Sequence, residues 1–212
     1  MISVMIIDPD WHLASMLKGV IANHPDIIFV GIAQTGAEGL EMIKKYKGKN
    51  PLFVLMAMEL PDILGESLCR YIHRHWPKVS MILTVHSVHW PTLSRLVESP
   101  AKGYLSKQRY YLAMDAIRAV YSGKTYLQPD LALELLRYRK NPTIPQLEML
   151  SSREYEIILL LARNKTYEEI VEITHVSIKT VYNLKVSACK KLGIEEPAQI
   201  RGLIFSEAVV KH

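Results

Sequence analysis

One stretch of the chain, residues 177–192, combines residue types that suit nucleic-acid binding. It contains four lysines and no aspartate or glutamate. On a helical wheel one face is apolar and carries Val181, Leu184, Ala188 and Leu192. The opposite face carries Lys179, Asn183, Val186 and Lys190, flanked by Tyr182, Ser187 and Lys191. Lysines can contact phosphates, and Asn183 can make a bidentate contact with adenine. The residues placed to enter a DNA major groove are Lys179, Thr180, Tyr182, Asn183, Val186, Ser187, Lys190 and Lys191.

Polar residues also lie at the ends of apolar runs in the first half of the chain. Asp8 and Asp10 follow the first run, Thr84 ends the fourth, and Lys107 follows the fifth. Ala57 ends the third run. Ligands of open α/β sheets bind beyond the carboxyl ends of the strands. A functional crevice is therefore expected where these residues meet.

The apolar runs alternate with helical patterns over the first 122 residues. They are almost wholly apolar, which is typical of a parallel sheet covered by helices on both faces. The predicted strands are 4–7, 27–33, 52–57, 79–84 and 102–105, and the predicted helices are 11–23, 36–47, 67–74, 89–99 and 110–122. The pattern predicts an α/β domain over residues 1–123, with a five-stranded, doubly wound, flavodoxin-like sheet.

The alternation stops after residue 123. Residues 124–150 are predicted to be a linker with a short helix at 129–139. Beyond it the patterns are helical only, and residues 151–212 are predicted to form an all-α helix-turn-helix domain, including a last helix at 198–210. Its helix boundaries are marked by the capping boxes Ser151-x-x-Glu154 and Thr166-x-x-Glu169, by Asn164 in a left-handed turn, by Ser177 and by Gly193.

Several motifs resemble those of response regulators of the NarL/FixJ/LuxR type, in which a receiver domain precedes a helix-turn-helix domain. The second half carries LSSREYEIILLLA at 150–162 and VSIKTVYNLKVSACKKLGI at 176–194. The first half carries VMIIDPD at 4–10, LMAMELPDILG at 55–65, ILTVH at 82–86 and KGYLSK at 102–107. The resemblance spans nearly the whole chain.

The resemblance implies a set of phosphorylation-site residues, and this chain departs from it. A receiver of this type accepts a phosphoryl group on an aspartate at the end of the third strand, but Ala57 stands there. Pro9 replaces the second acid of a Mg²⁺-binding pair and leaves Asp8 and Asp10. The switch hydroxyl, switch aromatic and phosphate-pairing lysine correspond to Thr84, Tyr104 and Lys107. The receiver is expected to be degenerate and unable to be phosphorylated at Ala57.

Three other sets of reactive residues, two acids, two histidines and two cysteines, give weaker indications of function. Glu59 and Asp62 could be substitute acceptors, but exposed acids are ordinary in a loop past a strand end. His86-x-x-His89 has no third ligand nearby, so no metal site is expected. The two cysteines, Cys69 and Cys189, lie far apart and are predicted to be buried thiols.

The helix at 177–192 also departs from the family at its edges. Tyr182 stands where a basic residue is usual, Lys185 where an apolar residue is usual, and a leucine is usual in place of Thr174. These departures favour an alternative function, in which the protein has lost DNA binding and titrates another regulator. The charge of the helix and the predicted fold agree with DNA binding although the base-contact positions diverge, so DNA binding remains the leading prediction.

Composition narrows the function classes further. The 212 residues carry a net charge of +5, and no apolar run approaches the ~20 residues that a membrane helix needs. The first residues lack the basic region of a signal peptide, so a cytoplasmic location is expected. No glycine-rich phosphate loop or Ser/His/Asp set is present, and neither an enzyme nor a cofactor is predicted.

The combined prediction is a DNA-binding transcriptional regulator with a phosphorylation-independent receiver. It is expected to act through dimerisation, by way of the receiver and the helix at 198–210, or through contacts with other regulator proteins. Its expected partners are double-stranded DNA and a second copy of the chain.

Overall fold

The computed structural model describes residues 1–85, 99–140, 147, 149–174 and 176–200, apart from the side chains of residues 135, 138–140 and 152. Contacts divide the chain into two compact units, Met1–Lys140 and Asn141–His212. The division falls inside the predicted linker at 124–150. Helices are numbered below in chain order among the described residues.

The first unit is built on a parallel sheet with the strand order β2-β1-β3-β4-β5-β6. Its strands are β1 (Ile2–Ile7), β2 (Ile27–Ala33), β3 (Leu52–Ala57), β4 (Ser80–Val85), β5 (Gly103–Ser106) and β6 (Tyr126–Leu127). The prediction of five strands is wrong, because β6 pairs with β5 as a sixth. β6 lies beyond Gly123 and has only two residues, so it is too short to be recognised as an apolar run in the sequence.

Helices cover both faces of this sheet, as predicted. They are α1 (Trp11–Ala22), α2 (Gly36–Lys45), α3 (Gly65–His75), α4 (Ala113–Tyr121) and α5 (Pro129–Lys140), and a 3₁₀ turn at Lys107–Leu112 precedes α4. One apolar cluster joins α1 and α4 to the sheet, and the other joins α2 and α3 to it. The doubly wound, flavodoxin-like fold is confirmed. Residues 89–98 of the predicted helix at 89–99 lie outside the described residues.

Strand residues alternate between the two apolar clusters. In β1, Val4 and Ile6 pack on the side of α1, whereas Met5 and Ile7 pack on the side of α2 and α3. All six residues of β1 and all six of β3 are buried. This burial on both faces explains why the runs are apolar throughout.

The second unit contains three described helices, α6 (Ser152–Ala162), α7 (Tyr167–Thr174) and α8 (Ile178–Leu192), followed by a 3₁₀ turn at Pro197–Gln199. Its core contains Ile157, Leu160, Ile170 and Val181. Both capping boxes are present, at Ser151 with Glu154 and at Thr166 with Glu169. Asn164, predicted to be left-handed, has a φ of 61°. Gly193, predicted to end the third helix of this unit, has a φ of 66° and caps it.

Two further predictions concern the last helix of the chain and membrane crossing. Residues 201–210 of the predicted last helix lie outside the described residues. Within the described ranges, no helix has both the length and the apolar character that crossing a bilayer requires.

Candidate functional site

The polar residues predicted to meet at one edge of the sheet do so. Asp8 follows β1, Ala57 ends β3, and Thr84 on β4 lies opposite Ala57 in the strand register. Asp8, Ala57 and Thr84 are at most 2% exposed. The site is therefore closed to solvent at the position where the sequence places the acceptor.

Lys107 forms an ion pair with Asp8. Its Nζ lies 2.9 Å from Oδ1 and 2.7 Å from Oδ2 of Asp8, and the carboxylate side chain is 1% exposed. In the sheet, β3 and β4 lie between β1 and β5. The pair therefore spans the carboxyl ends of both central strands, where Ala57 and Thr84 lie.

Asp10 serves mainly to begin a helix. Its carboxylate accepts a hydrogen bond from the backbone N–H of Leu13 and caps α1, and its own N–H donates to Asp8 Oδ1 at 2.9 Å. The hydrogen bond from Leu13 lowers the pKa of Asp10. Asp10 thus reaches the site through its backbone, while its carboxylate is used by α1.

The loop between β3 and α3 holds both acids considered as substitute acceptors. The two carboxylate oxygens of Asp62 accept hydrogen bonds from the N–H groups of Gly36 (2.8 Å) and Ala37 (2.9 Å), at the start of α2. Glu59 is exposed and forms a backbone bridge with Leu64. The sequence carried no signal for the role of Asp62, because its partners lie 25 and 26 residues away.

Gly65, the first residue of α3, lies against the end of β3. A Cβ at residue 65 would collide with the backbone carbonyl of Ala57. The N–H of Gly65 donates to the carbonyl of Met58 at 2.8 Å. The missing side chain of Gly65 therefore allows α3 to start directly against the end of β3.

In the second unit, α8 separates an exposed face from a buried one. Val181, Ala188 and Leu192 are at most 9% exposed and face the core. Six of the eight predicted DNA-contacting residues are exposed: Lys179, Thr180, Tyr182, Asn183, Val186 and Lys190. Ser177 caps the helix by accepting a hydrogen bond from the N–H of Thr180.

The other two predicted contacts, Ser187 and Lys191, face Glu154 of α6. Ser187 Oγ lies 2.6 Å from Oε1 and Lys191 Nζ lies 2.7 Å from Oε2 of Glu154. Burial alone would raise the pKa of Glu154, but the hydrogen bonds from Lys191, Ser187 and Ser151 outweigh it and lower the pKa to about 2. This cluster fastens α8 to the capping box of α6.

The position of Lys185 and Thr174 explains two of the departures from the family pattern. Lys185 is half-buried, as a lysine is when its stem packs and its ammonium reaches solvent. Thr174 is buried, and its hydroxyl donates to the carbonyl of Ile170 at 2.6 Å. Both polar residues are accommodated without opening the core.

Comparison with known proteins identifies the first unit. The model of the response regulator receiver domain matches residues 4–117. The response regulator UvrY of Escherichia coli K12 is 30% identical over 208 residues, which cover 96% of this chain and 93% of UvrY. The chain belongs to the response regulator receiver family.

Two other response regulators resemble this one over almost their whole length. GacA of Pseudomonas syringae pv. syringae is 26% identical over 213 residues, which cover 99% of this chain and 98% of GacA. RcsB of Salmonella enterica serovar Typhimurium, solved bound to promoter P1flhDC with the phosphomimetic BeF₃⁻, superposes with a TM-score of 0.74 at 22% identity and covers 96% of this chain and 98% of RcsB. The RcsB likeness shows a shared fold.

At this edge the receiver offers a magnesium ion one buried carboxylate, that of Asp8. Mg²⁺ requires free carboxylate oxygens in near-octahedral geometry. Asp8 Oδ2 lies 2.7 Å from Lys107 Nζ but has no hydrogen-bond partner among the described residues, and the Asp10 carboxylate caps α1. Among the described residues, no group of three His, Cys, Asp or Glu side chains could hold a metal. His86 and His89 lie outside those residues.

Thr84 and Tyr104 occupy different environments in the receiver. The buried Thr84 hydroxyl has no hydrogen-bond partner among the described residues. The half-buried Tyr104 donates to the carbonyls of Ala101 (3.0 Å) and Ser99 (3.5 Å), and burial raises its pKa to about 12. Tyr104 is therefore anchored by the backbone of the segment that precedes β5.

The two cysteines are buried free thiols, as predicted. Burial raises the pKa of Cys69 to about 11, and its sulfur lies 3.5 Å from Ser99 Oγ. A protonated thiol is a poor nucleophile, so Cys69 has the character of a core residue.

Proposed function

We propose that this response regulator binds DNA through α8, and that its receiver acts through dimerisation or partner contacts without phosphorylation at Ala57 or at the acids on the same edge of the sheet. The observation that carries the receiver half of the proposal is the ion pair between Lys107 and Asp8 beside Ala57. This ion pair engages the Lys107 ammonium and the Asp8 carboxylate, the two charged groups that a phosphoryl group at this edge would need.

Three features support the absence of phosphorylation at this edge. The methyl group of Ala57 has no atom that could attack a phosphoryl donor. Ala57 and Asp8 are 1% exposed, so a donor has little access. Asp62, one of the two neighbouring acids, uses both carboxylate oxygens to cap α2.

The exposed face of α8 supports DNA binding. Lys179 and Lys190 are exposed and form no ion pair among the described residues, so both are free to contact phosphates. Asn183 lies between them on the same face and has the amide group that reads adenine. RcsB, which shares the fold, was solved bound to a promoter.

A second candidate function is supported by an apolar row on the same helix. Ile178, Tyr182 and Val186 are 52%, 57% and 49% exposed and follow one another at intervals of four residues. Such a row is suited to packing against a partner helix. The alternative is therefore an interaction protein that titrates another regulator and has no salt-dependent affinity for DNA.

A fluorescence anisotropy titration distinguishes the two functions. The full chain is titrated against labelled genomic fragments at two salt concentrations, with Lys179→Ala, Lys190→Ala and the receiver variant Lys124→Ala as a control. We expect affinity to fall with salt, and each α8 variant to reduce the salt slope by about 1. Binding that is unchanged by Lys179→Ala and Lys190→Ala contradicts the assignment of α8.

Mass spectrometry tests the receiver. The chain is incubated with acetyl phosphate and Mg²⁺ beside a receiver that has an aspartate at the end of its third strand. We expect an adduct on the comparison receiver and none on this chain. An aspartyl or glutamyl phosphate on this chain, at Asp8, Glu59 or Asp62, overturns the proposal.

A further inference from the structure

A basic groove lies at the amino-terminal edge of the receiver sheet. It has a volume of about 710 Å³ and is lined by the segment from Ile43 to Leu52 and the segment from His75 to Val79. These segments contain the end of α2 and the start of β3, and the end of α3 and the approach to β4. Because the strands are parallel, the groove lies at the opposite edge from Asp8 and Ala57, roughly 15–20 Å away along the strands.

The positive charge of the receiver is concentrated around this groove. Residues 1–123 contain thirteen Lys and Arg and ten Asp and Glu. Four lysines line the groove, Lys44, Lys47, Lys49 and Lys78, and no acidic residue does. The nearby acids Glu41 and Glu66 pair with Lys44 and Arg70. An anion in the groove would therefore meet lysines and no carboxylate of the lining.

Helix stability explains only some of these charges. Lys44, Lys45 and Arg74 lie in the last turns of α2 and α3, where cations offset the negative ends of the helix dipoles, and Lys44 also pairs with Glu41. Lys47, Lys49 and Lys78 lie beyond the helix ends. They are exposed, line the groove, and form no ion pair among the described residues.

The floor and wall of the groove are apolar and aromatic. Ile43 and Leu52 are 4% exposed, and Trp76 and Tyr46 are half-buried. Tyr46 is held in place, because its hydroxyl lies 2.7 Å from Ser3 Oγ and 2.9 Å from the carbonyl of Asn50. Gly48 packs directly on the Tyr46 ring, where a Cβ would collide with it.

We propose that this groove binds a nucleotide, with its base against Trp76 and Tyr46 and its phosphates against Lys47, Lys49 and Lys78. The volume matches the 300–1,000 Å³ typical of small-molecule sites. Aromatic walls favour planar rings, and lysines bind phosphates as point charges. A duplex is convex and would contact only the lysines at the rim, so the concave aromatic floor favours the smaller ligand.

Calorimetric titration of the full chain tests the proposal. The probes are ATP, adenosine and inorganic tripolyphosphate, each without divalent cations. We expect ATP to bind more tightly than either part, and the double variant Lys47→Gln/Lys49→Gln to weaken ATP binding about five- to tenfold. Trp76→Phe keeps the apolar packing, and we expect it to weaken ATP but not tripolyphosphate.

The matched control is Lys102→Gln/Lys124→Gln, which removes the same charge from two other exposed receiver lysines. We expect it to change ATP affinity by no more than about twofold. The proposal is overturned if ATP does not bind, if tripolyphosphate binds as tightly as ATP, or if both double variants act alike. Duplex binding that requires Lys47 and Lys49 without ATP binding also overturns it. None of these results depends on α8, so they are distinguishable from failure of the proposed DNA contact.

Discussion

Lys107 and Asp8, 99 residues apart in the chain, form a buried ion pair across the carboxyl ends of the two central strands. Lys107 has 13% of its side chain exposed and Asp8 has 1%. The pairing of Lys107 with Asp8, which follows β1, gives this edge of the receiver a fixed arrangement of charges. The stability of the receiver then depends on keeping both partners.

Replacing Lys107 with methionine leaves the Asp8 carboxylate buried without its partner. We expect Lys107→Met to lower the free energy of unfolding by about 3–5 kcal/mol, and the double variant Asp8→Asn/Lys107→Met to recover part of the loss. Urea unfolding near neutral pH measures both. Lys102→Met, at an exposed lysine, is the control and should change little. If Lys107→Met is as stable as the control, the ion pair has no structural role.

Two glycines give opposite expectations for the same substitution. In Gly65→Ala the new Cβ meets the backbone carbonyl of Ala57, which cannot move aside as a flexible side chain can. We expect a loss of about 1–3 kcal/mol. Gly19 is exposed within α1 and has nothing within 4 Å, so Gly19→Ala should stabilise by about 0.5–1 kcal/mol. Thermal unfolding compares them, and equal effects would contradict the close approach at Gly65.

Glu154 makes the stability of the second unit depend on acid pH. Its pKa is about 2 when folded, below its ordinary value of 4.5. The stabilisation from this charged carboxylate, on the order of 1–3 kcal/mol, is therefore complete above about pH 5 and is lost as the pH falls towards 2. We expect Glu154→Gln to be less stable than the wild type near neutral pH, with the difference shrinking in acid. Urea unfolding followed by circular dichroism measures it, with the exposed Glu168→Gln as control. A difference that does not vary with pH contradicts the assignment.

Lys191 and Lys179 are both on α8 but should respond differently to alanine. Lys191→Ala removes a hydrogen bond from buried Glu154, so we expect a loss of roughly 1–3 kcal/mol in stability. Lys179 is exposed, so Lys179→Ala should leave stability within about 0.5 kcal/mol and act on DNA affinity instead. Parallel unfolding and anisotropy measurements separate the two effects. Equal stability of the two variants would show that Lys191 is not needed to fasten α8.

Asp62→Ala removes two hydrogen bonds from the start of α2. We expect it to cost about 1–2 kcal/mol, as the loss of a helix cap does. Asp26→Ala, at another exposed aspartate of the same unit, is the comparison and should cost less. Thermal unfolding measures both, and an Asp62→Ala variant as stable as the wild type would leave Asp62 without its capping role.

Local patterns in the sequence determined the elements and the residue types at their ends. Each strand is buried on both faces, so it appears in the sequence as a continuous apolar run. The ends of these runs place Asp8, Ala57 and Thr84 at one edge of a parallel sheet. The capping boxes at Ser151 and Thr166, and the left-handed turn at Asn164, depend on neighbours within a few residues. The exposed face of α8 follows from helical periodicity, which is equally local.

Only the tertiary structure decided which polar groups pair with each other. Lys107 meets Asp8, Lys191 and Ser187 meet Glu154, and Asp62 meets the start of α2, in each case between residues far apart in sequence. The sixth strand has two residues and exists because β5 offers an edge to pair with. The groove at the other end of the sheet likewise brings together two segments about 30 residues apart. A side chain's type is fixed by the sequence, but its partner is set by the packing of whole elements, which no short pattern records.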